Sequence, residues 1–524
     1  MRSANAVVGL LIGHLHATAA LDVPARLTAQ VKVNLNQRHQ TIDGFGFSQA
    51  FQRAAWLHGK LGLAPEQQRE VLDLLFDRDS GAGATILRNG IGSSTSYDRD
   101  FMKSIAPTSP GSPDAAPDYV WDGYDADQVW LTKEALAYGG GGPKYVYADA
   151  WSAPGYMKSN GNDSYGGYLC GPSSSSSSSG SPTSCDSSGD WREAYARYLV
   201  QFLRFYRERE SVEITHLGWL NEPDLNQTYA SMLSDGFQAA AFARILRQVM
   251  RDEGFGHVRL VCCEATGWTQ GAAILAELQA EAAGAEVGDD DAALFDVYSA
   301  HAYSADSSRP LQTTQKVWQT EWADLDGRWN PAWDDLGKAG EGIGWANKIQ
   351  ESLVLGNVSA WLHWIGAEPT PTNSALIQLP LQQSNNNNSA ATYSVSGRFW
   401  AFAQFSRFVR PGAVRVDAET DRGFLGTSAF FLDEGAIENN SGRVVSVQMI
   451  NNGHVDLNVR VVIDGGNSGK DNGENSPEIW LTNNENNLTR ASVTSQVIKD
   501  SSPSPEYSVL VPKRSMVTLL LLYK

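Results

Sequence analysis

Residues 214–223, ITHLGWLNEP, read as a short apolar strand that runs into an acid followed by proline. Proline has no N–H to give a β-ladder, so the strand is expected to end beside Glu222. Upstream, Tyr195, Tyr198, Leu199, Phe202, Leu203 and Tyr206 recur at i, i+3, i+4, i+7, i+8 and i+11. That spacing predicts an amphipathic helix with one apolar stripe. A helix feeding a short apolar strand is the repeating piece of an α/β fold.

The same piece recurs on both sides. Apolar strands are expected at 41–48 (TIDGFGFS), 84–92 (ATILRNGIG), 144–151 (KYVYADAW), 258–264 (VRLVCCE), 294–301 (LFDVYSAH), 316–321 (KVWQTE) and 358–364 (VSAWLHW). With 214–220 they make eight, and eight parallel strands joined by right-handed crossovers close a (β/α)8 TIM barrel, placed here over residues 43–404. From 405 onward the period changes to two: Val455, Leu457, Val459 and Val461 alternate with Asp456, Asn458 and Arg460. Residues 405–524 therefore read as an antiparallel β-sandwich. Val31 to Leu35 alternates likewise, so residues 21–42 are expected to supply N-terminal strands to that sandwich, building it from both chain ends.

Composition narrows the partners. The chain has 41 Lys and Arg against 59 Asp and Glu, a net −18 that would be repelled by nucleic acid or an anionic membrane. Residues 1–20 resemble a secretory signal, with Arg2, an apolar stretch from Ala6 to Leu15 and the small-residue site Ala17-Thr18-Ala19. No other apolar run nears the ~20 residues that span a bilayer, so a secreted, soluble monomer is expected. Six Asn-x-Ser/Thr sequons begin at Asn162, Asn226, Asn357, Asn387, Asn439 and Asn487. Cys170 and Cys185 flank a serine-rich loop and are the expected disulfide. Cys262 and Cys263 are adjacent in a strand, where alternation sends their side chains to opposite faces, so both read as buried free thiols with no metal to hold. The tracts Ser173 to Ser179 and Asn385 to Asn388 have nothing apolar to bury and carry no chemistry.

A barrel gathers its reacting groups at the C-terminal ends of its strands. Glutamates at two of these strand ends, Glu222 and Glu321, are the candidate pair. One carboxyl that gives a proton and one that attacks, about 5–5.5 Å apart, are what retaining glycoside hydrolysis requires. Arg88 and Tyr303 are candidate donors to Glu321, and Asn221 would offer its amide to a sugar 2-hydroxyl. His301, beside Tyr303, fits a site role and a structural one equally. Trp151, Trp268, Trp322 and Trp364 fall at strand ends where aromatic planes could stack on sugar rings, core packing being the alternative for each.

LGWLNEPD (217–224) and VWQTEWAD (317–324) resemble the acid/base and nucleophile segments of glycoside hydrolase family 30, and TIDGFGFSQAFQRA (41–54) is similar to its fungal xylan-active subfamily, subfamily 7. FSRFVRPG (405–412) resembles the family's passage from barrel to sandwich, so the likeness spans nearly the whole mature chain. It implies that Glu222 is the acid/base and Glu321 the nucleophile in retaining cleavage of β-1,4-xylosidic bonds, with no cofactor and with a polysaccharide as partner. Arg88 resembles the strand 2 arginine of the family's wider clan. Arg53, in Phe51-Gln52-Arg53, is similar to an arginine of glucuronoxylan-active members, which implies that it clasps the carboxylate of a glucuronic acid branch. An endo-β-1,6-galactanase or β-glucosidase activity of the same family is the nearest alternative, and a carbohydrate-binding protein without turnover the more distant one. The long loop from Ser93 to Asp127 would decide between internal cleavage and release of xylobiose.

Overall fold

The computed structural model describes residues 27–98, 100–172, 189–284, 294–381, 392–433, 442–465, 477–491 and 504–523. The expected signal segment, Cys185, the Ser173 to Ser179 and Asn385 to Asn388 tracts, and the sequons at Asn387 and Asn439 lie outside them. The other four sequon asparagines are exposed. Among the described residues no helix is long and apolar enough to cross a membrane.

The chain opens with β1 (Leu27–Thr41) and then enters the barrel through β2 (Gly44–Ser48), β3 (Ile86–Ile91), β4 (Tyr145–Ala150), β5 (His216–Gly218), β6 (Arg259–Ala265), β7 (Val297–His301) and β8 (Lys316–Glu321). A short strand, β9 (Asp324–Arg328), precedes β10 (Ala360–Glu368), which pairs in parallel with both β8 and β2 and so closes the ring of eight. Because helices cover the outside and side chains fill the inside, these strands are buried on both faces, five of five residues in β2 and six of six in β3. The helices are α1 (Arg53–Ala55), α2 (Pro65–Phe76), α3 (Gln128–Leu136), α4 (Arg192–Glu210), α5 (Gly236–Asp252), α6 (Trp268–Gly284), α7 (Gly342–Val354) and α8 (Gly397–Phe408). The expected stripe of α4, from Tyr195 to Tyr206, is buried throughout.

Inside the barrel, Ile86, Tyr147, Val261, Val297, Trp318, Ala360 and Leu362 form an apolar plug. Side chains two residues further along β3 and β4 point the same way, which puts Arg88 and Asp149 on top of Ile86 and Tyr147. At Gly218 in β5 an added Cβ would collide with the Asp149 carboxylate and the Tyr147 hydroxyl, so only glycine lets β5 pass this close.

The second sheet begins after three small strands at the barrel rim, β11 (Thr372–Asn373), β12 (Ala375–Gln378) and β13 (Ser394–Val395). It contains β14 (Val414–Thr420), β15 (Leu425–Leu432), β16 (Arg443–Asn451), β17 (Leu457–Asp464), β18 (Glu478–Thr482), β19 (Thr489–Arg490), β20 (Glu506–Val511) and β21 (Ser515–Tyr523). The N-terminal β1 lies inside it, antiparallel to β14 and parallel to β17, with Val31 opposite both Thr420 and Val461. The sheet is thus mostly antiparallel, the β1–β17 pair departing from the expected pattern. Alternate residues such as Val31, Val33, Val447, Val459, Val509 and Leu519 share one core. On the other face, Phe430, Ile450 and Met516 join the core around Trp361, Phe402 and Phe405 of the barrel, which braces the two units against each other.

One expectation fails in β6. Cys262 and Cys263 are joined to each other as a disulfide across a cis peptide, and the pairing with β7 shifts between Cys262 and Ala265. Alternation assumes an unbroken extended strand, so it does not hold at this step and the two residues are not free thiols. Cys170 is buried and disulfide-bonded, while its expected partner, Cys185, is not among the described residues.

Candidate active site

Arg88 organises the top of the barrel. Its guanidinium is fully buried, a costly position for a charge that is not paired. Nη1 donates to Glu321 Oε2 (2.6 Å), and Nη2 reaches Asp149 Oδ2 (2.8 Å), Asn221 Oδ1 (2.7 Å) and Glu264 Oε2 (3.0 Å). The guanidinium also lies 4.6 Å from the centre of the Trp151 ring. Four barrel segments, at β4, β5, β6 and β8, therefore converge on one planar cation from β3.

Glu321 is the last residue of β8, and besides Arg88 it accepts a hydrogen bond from Tyr303 Oη (2.8 Å). Glu222 stands four residues beyond β5, which ends at Gly218 and is shorter than the expected 214–220. Glu222 itself adopts a left-handed conformation (φ 48°) and sends its N–H to the carbonyl of Glu264 (2.9 Å). His301, at the end of β7, bridges the acids: Nδ1 is 3.1 Å from Glu222 Oε1, and Nε2 is 3.0 Å from Glu264 Oε2 and 3.5 Å from Glu321 Oε2. One oxygen each of Glu222 and Glu321 and one nitrogen of His301 lie within 4.8 Å of one another. Phe51, Trp151, Tyr229 and Trp364 wall the site with edge-to-face and tilted contacts of 5.3–6.2 Å, and Tyr229 Oη lies 3.4 Å from Glu222 Oε2.

Not every expected residue joins this cluster. Trp268 is buried in the barrel wall with its indole N–H on the carbonyl of Arg309, and Trp322 turns its ring to Trp345 (5.6 Å) and to Lys348. Arg53 is on the rim but is not an open clasp. Nη1 is held by Asp100 and Nε by Glu368 (3.2 Å), and the guanidinium lies over the rings of Phe51 and Trp56. Two carboxylates already balance its charge. Conversely, Asp149, Glu264, Tyr147 and Tyr229 belong to the cluster without having been singled out. Glu264 carried the same mark as the two expected acids, since VRLVCCE also ends a strand in glutamate.

Electrostatics follow from this packing. Burial alone would make His301 lose its proton, but Glu321, Glu222 and Glu264 outweigh it and raise the imidazole to about 10. Burial pushes the Glu264 carboxyl up, yet Arg88 and His301 outweigh it and hold it down at about 2. Asp149 is pushed up to about 7, chiefly by burial, with Arg88 opposing and Glu264 adding. Burial also raises Glu321, against the pull of His301 and Arg88. With its ring nitrogens against carboxylate oxygens, His301 joins Glu222, Glu264 and Glu321 into one hydrogen-bonded group.

No protein-family model matches the chain. Among solved structures, the catalytic domain of glycoside hydrolase family 30 xylanase C from Talaromyces cellulolyticus is similar to it at 35% identity and a TM-score of 0.77, over 94% of this chain and 100% of that one. The chain belongs to glycoside hydrolase family 30. A family 30 subfamily 8 xylanase from Clostridium acetobutylicum (20% identity, TM-score 0.62) and a family 30 endoxylanase from Clostridium papyrosolvens (19%, 0.59) share the fold, each over 94% of this chain and 100% and 99% of their own.

The cluster of this family 30 glycosidase gives a pH prediction. The folded pKa of His301 lies above its ordinary 6.5, so its stabilisation is complete below that value and fades as pH climbs toward about 10. That of Glu264 lies below its ordinary 4.5, so its contribution is present above that value and fades as pH falls toward about 2. Stability attributable to the pair is expected to be greatest between about pH 4.5 and 6.5. Urea unfolding of wild type and His301→Gln across pH 3–9 checks it. A difference between them that does not vary with pH would contradict the assignment.

Proposed function

We propose that the protein is a secreted xylanase that hydrolyses β-1,4-xylosidic bonds with retention, Glu222 serving as acid/base and Glu321 as nucleophile. The observation that carries this reading is the approach of the two carboxylates, with one oxygen of each within 4.8 Å of the other. That approach is nearer to the ~5–5.5 Å separation of retaining enzymes than to the ~6.5–9.5 Å of inverting ones, which supports retention. Glu222 protonates the leaving oxygen while Glu321 attacks the anomeric carbon. Water, deprotonated by Glu222, then releases the glycosyl group from Glu321. The two donors on Glu321, Arg88 and Tyr303, favour its ionised form and so the nucleophilic role. Asn221 commits its carbonyl oxygen to Arg88, which leaves its N–H2 for the sugar 2-hydroxyl. Trp151 and Trp364 supply apolar surface beside the acids. No step requires a cofactor.

The 35% identical Talaromyces xylanase supports xylan as the substrate, and the 41–54 segment supports subfamily 7. The engagement of Arg53 by Asp100 and Glu368 favours a clasp that orders the long loop after β3, because a uronate would have to compete with Asp100 for the same cation. Incubation with glucuronoxylan, linear xylan and arabinogalactan, followed by NMR of the first product, tests the whole reading. Both xylans are expected to be cleaved, the β-anomer appearing first. Arg53→Ala is expected to lower turnover about fivefold on both, as the loss of an ordered ion pair worth about 1 kcal/mol would. A loss confined to glucuronoxylan would restore the branch-reading role. Cleavage of arabinogalactan alone would indicate another family 30 activity, and binding without turnover on any of the three would end the enzymatic reading.

A further inference from the structure

Glu264 is a fully buried acid to which the two-carboxylate mechanism gives no task. It is nonetheless tied to every part of the site. Its Oε1 accepts from Tyr147 Oη (2.9 Å), its Oε2 accepts from Arg88 Nη2 and faces His301 Nε2 (both 3.0 Å), and its carbonyl receives the N–H of Glu222 (2.9 Å). The groups facing the His301 ring are Glu222 from the segment after β5, Glu264 from β6 and Glu321 from β8, with Tyr303 edge-on from its own chain segment. Arg88, Tyr147 and Asp149 stand one contact further away, on β3 and β4.

Both ring nitrogens thus point at carboxylate oxygens. A neutral imidazole donates from only one nitrogen, so it would set the lone pair of the other against an acceptor. We propose that Glu264 is a positioning residue that keeps both nitrogens of His301 as donors, so that Nδ1–H occupies Oε1 of Glu222 and the transferable proton stands on Oε2. Among the described contacts, Oε2 meets only the Tyr229 hydroxyl, at a long 3.4 Å, and it is therefore the oxygen left to face the leaving group. The buried cations Arg88 and His301 already face the carboxyl groups of Asp149, Glu264 and Glu321, so Glu222 is not needed as an anion to balance them and can carry its proton. This inference rests on the acid/base role proposed above for Glu222.

The test uses the full-length protein with ¹⁵N-labelled histidine, His301 being assigned from the signal that His301→Gln lacks. In wild type both ring nitrogens are expected to stay protonated from pH 5 to 8.5. In Glu264→Gln, which keeps the shape and removes the charge, the ring is expected to lose a proton within that range, at least about one pH unit below the wild type. On xylan, Glu264→Gln is expected to lower kcat about tenfold or more with little change in KM and to move the alkaline limb of the kcat profile to lower pH. Glu264→Asp should recover part of both effects. An unchanged His301 titration, or a Glu264→Gln profile that overlays wild type, overturns the proposal. Should Glu264→Gln not fold, the wild-type spectrum decides: a neutral, single-tautomer His301 at pH 6 refutes it. Because the spectrum needs no substrate, failure of this inference is distinguishable from failure of the xylanase reading, which shows as wild-type inactivity.

Discussion

Glu321→Gly is expected to lower xylan turnover by about 10⁴-fold or more, since removing one member of a covalent catalytic unit forfeits nearly all of its advantage. The protein should stay folded, because Arg88 keeps Asp149, Asn221 and Glu264 as partners when Glu321 is gone. Loss of the side chain opens space on the face from which the anomeric carbon is attacked. Azide entering that space should restore measurable turnover of an activated aryl xyloside and yield the α-glycosyl azide. Glu222→Ala is expected to behave in the opposite sense. With a good leaving group the first step survives, the glycosyl group stays on Glu321, and azide collects it as the β-glycosyl azide. Which anomer forms identifies the missing side chain. If both variants gave the same anomer, the two roles proposed here would be wrong.

Period and punctuation made most of the scaffold legible in the sequence. Eight apolar segments at β/α spacing close into the barrel, and the alternation on either side of it builds the second sheet from both chain ends. The two expected glutamates are also brought together, because strand ends in a barrel share one mouth. The remainder depended on contacts that spacing does not encode. Trp268 and Trp322 stand at strand ends like Trp151 and Trp364, yet they turn into the barrel wall, and one residue of drift along a strand or into a helix suffices for that. Arg53 looked open because its two partners, Asp100 and Glu368, are distant in sequence. Glu264 lies where the pairing of β6 with β7 shifts register, so its direction could not be counted forward from the strand.

Arg88→Met is expected to remove about 3–5 kcal/mol of unfolding free energy at pH 7, the range found when one partner of a buried ion cluster is deleted. Methionine fills much of the volume, so the loss is electrostatic. Asp149, Glu264 and Glu321 would remain buried, with His301, paired to the two glutamates, as the one cation left among their described contacts. Burial would lower the Arg88 pKa, but those three carboxylates outweigh it and raise it, and deleting the cation returns the same interaction to them with the opposite sign. Asp149 and Glu321, already raised by burial, would rise further and Glu264 would lose the cation that holds it down, so the folded state would bind more protons than the wild type as pH falls. Stability increases with falling pH wherever the folded state binds more protons, so the deficit at pH 4.5 is expected to be smaller than at pH 7. Arg88→Lys should fall between wild type and Arg88→Met, since an ammonium restores the charge but lacks the fork that meets Glu321 on one edge and Asp149, Asn221 and Glu264 on the other. Urea midpoints for the three proteins at both pH values measure this order. An Arg88→Met deficit that is equal at pH 4.5 and 7 would assign the loss to packing instead of charge.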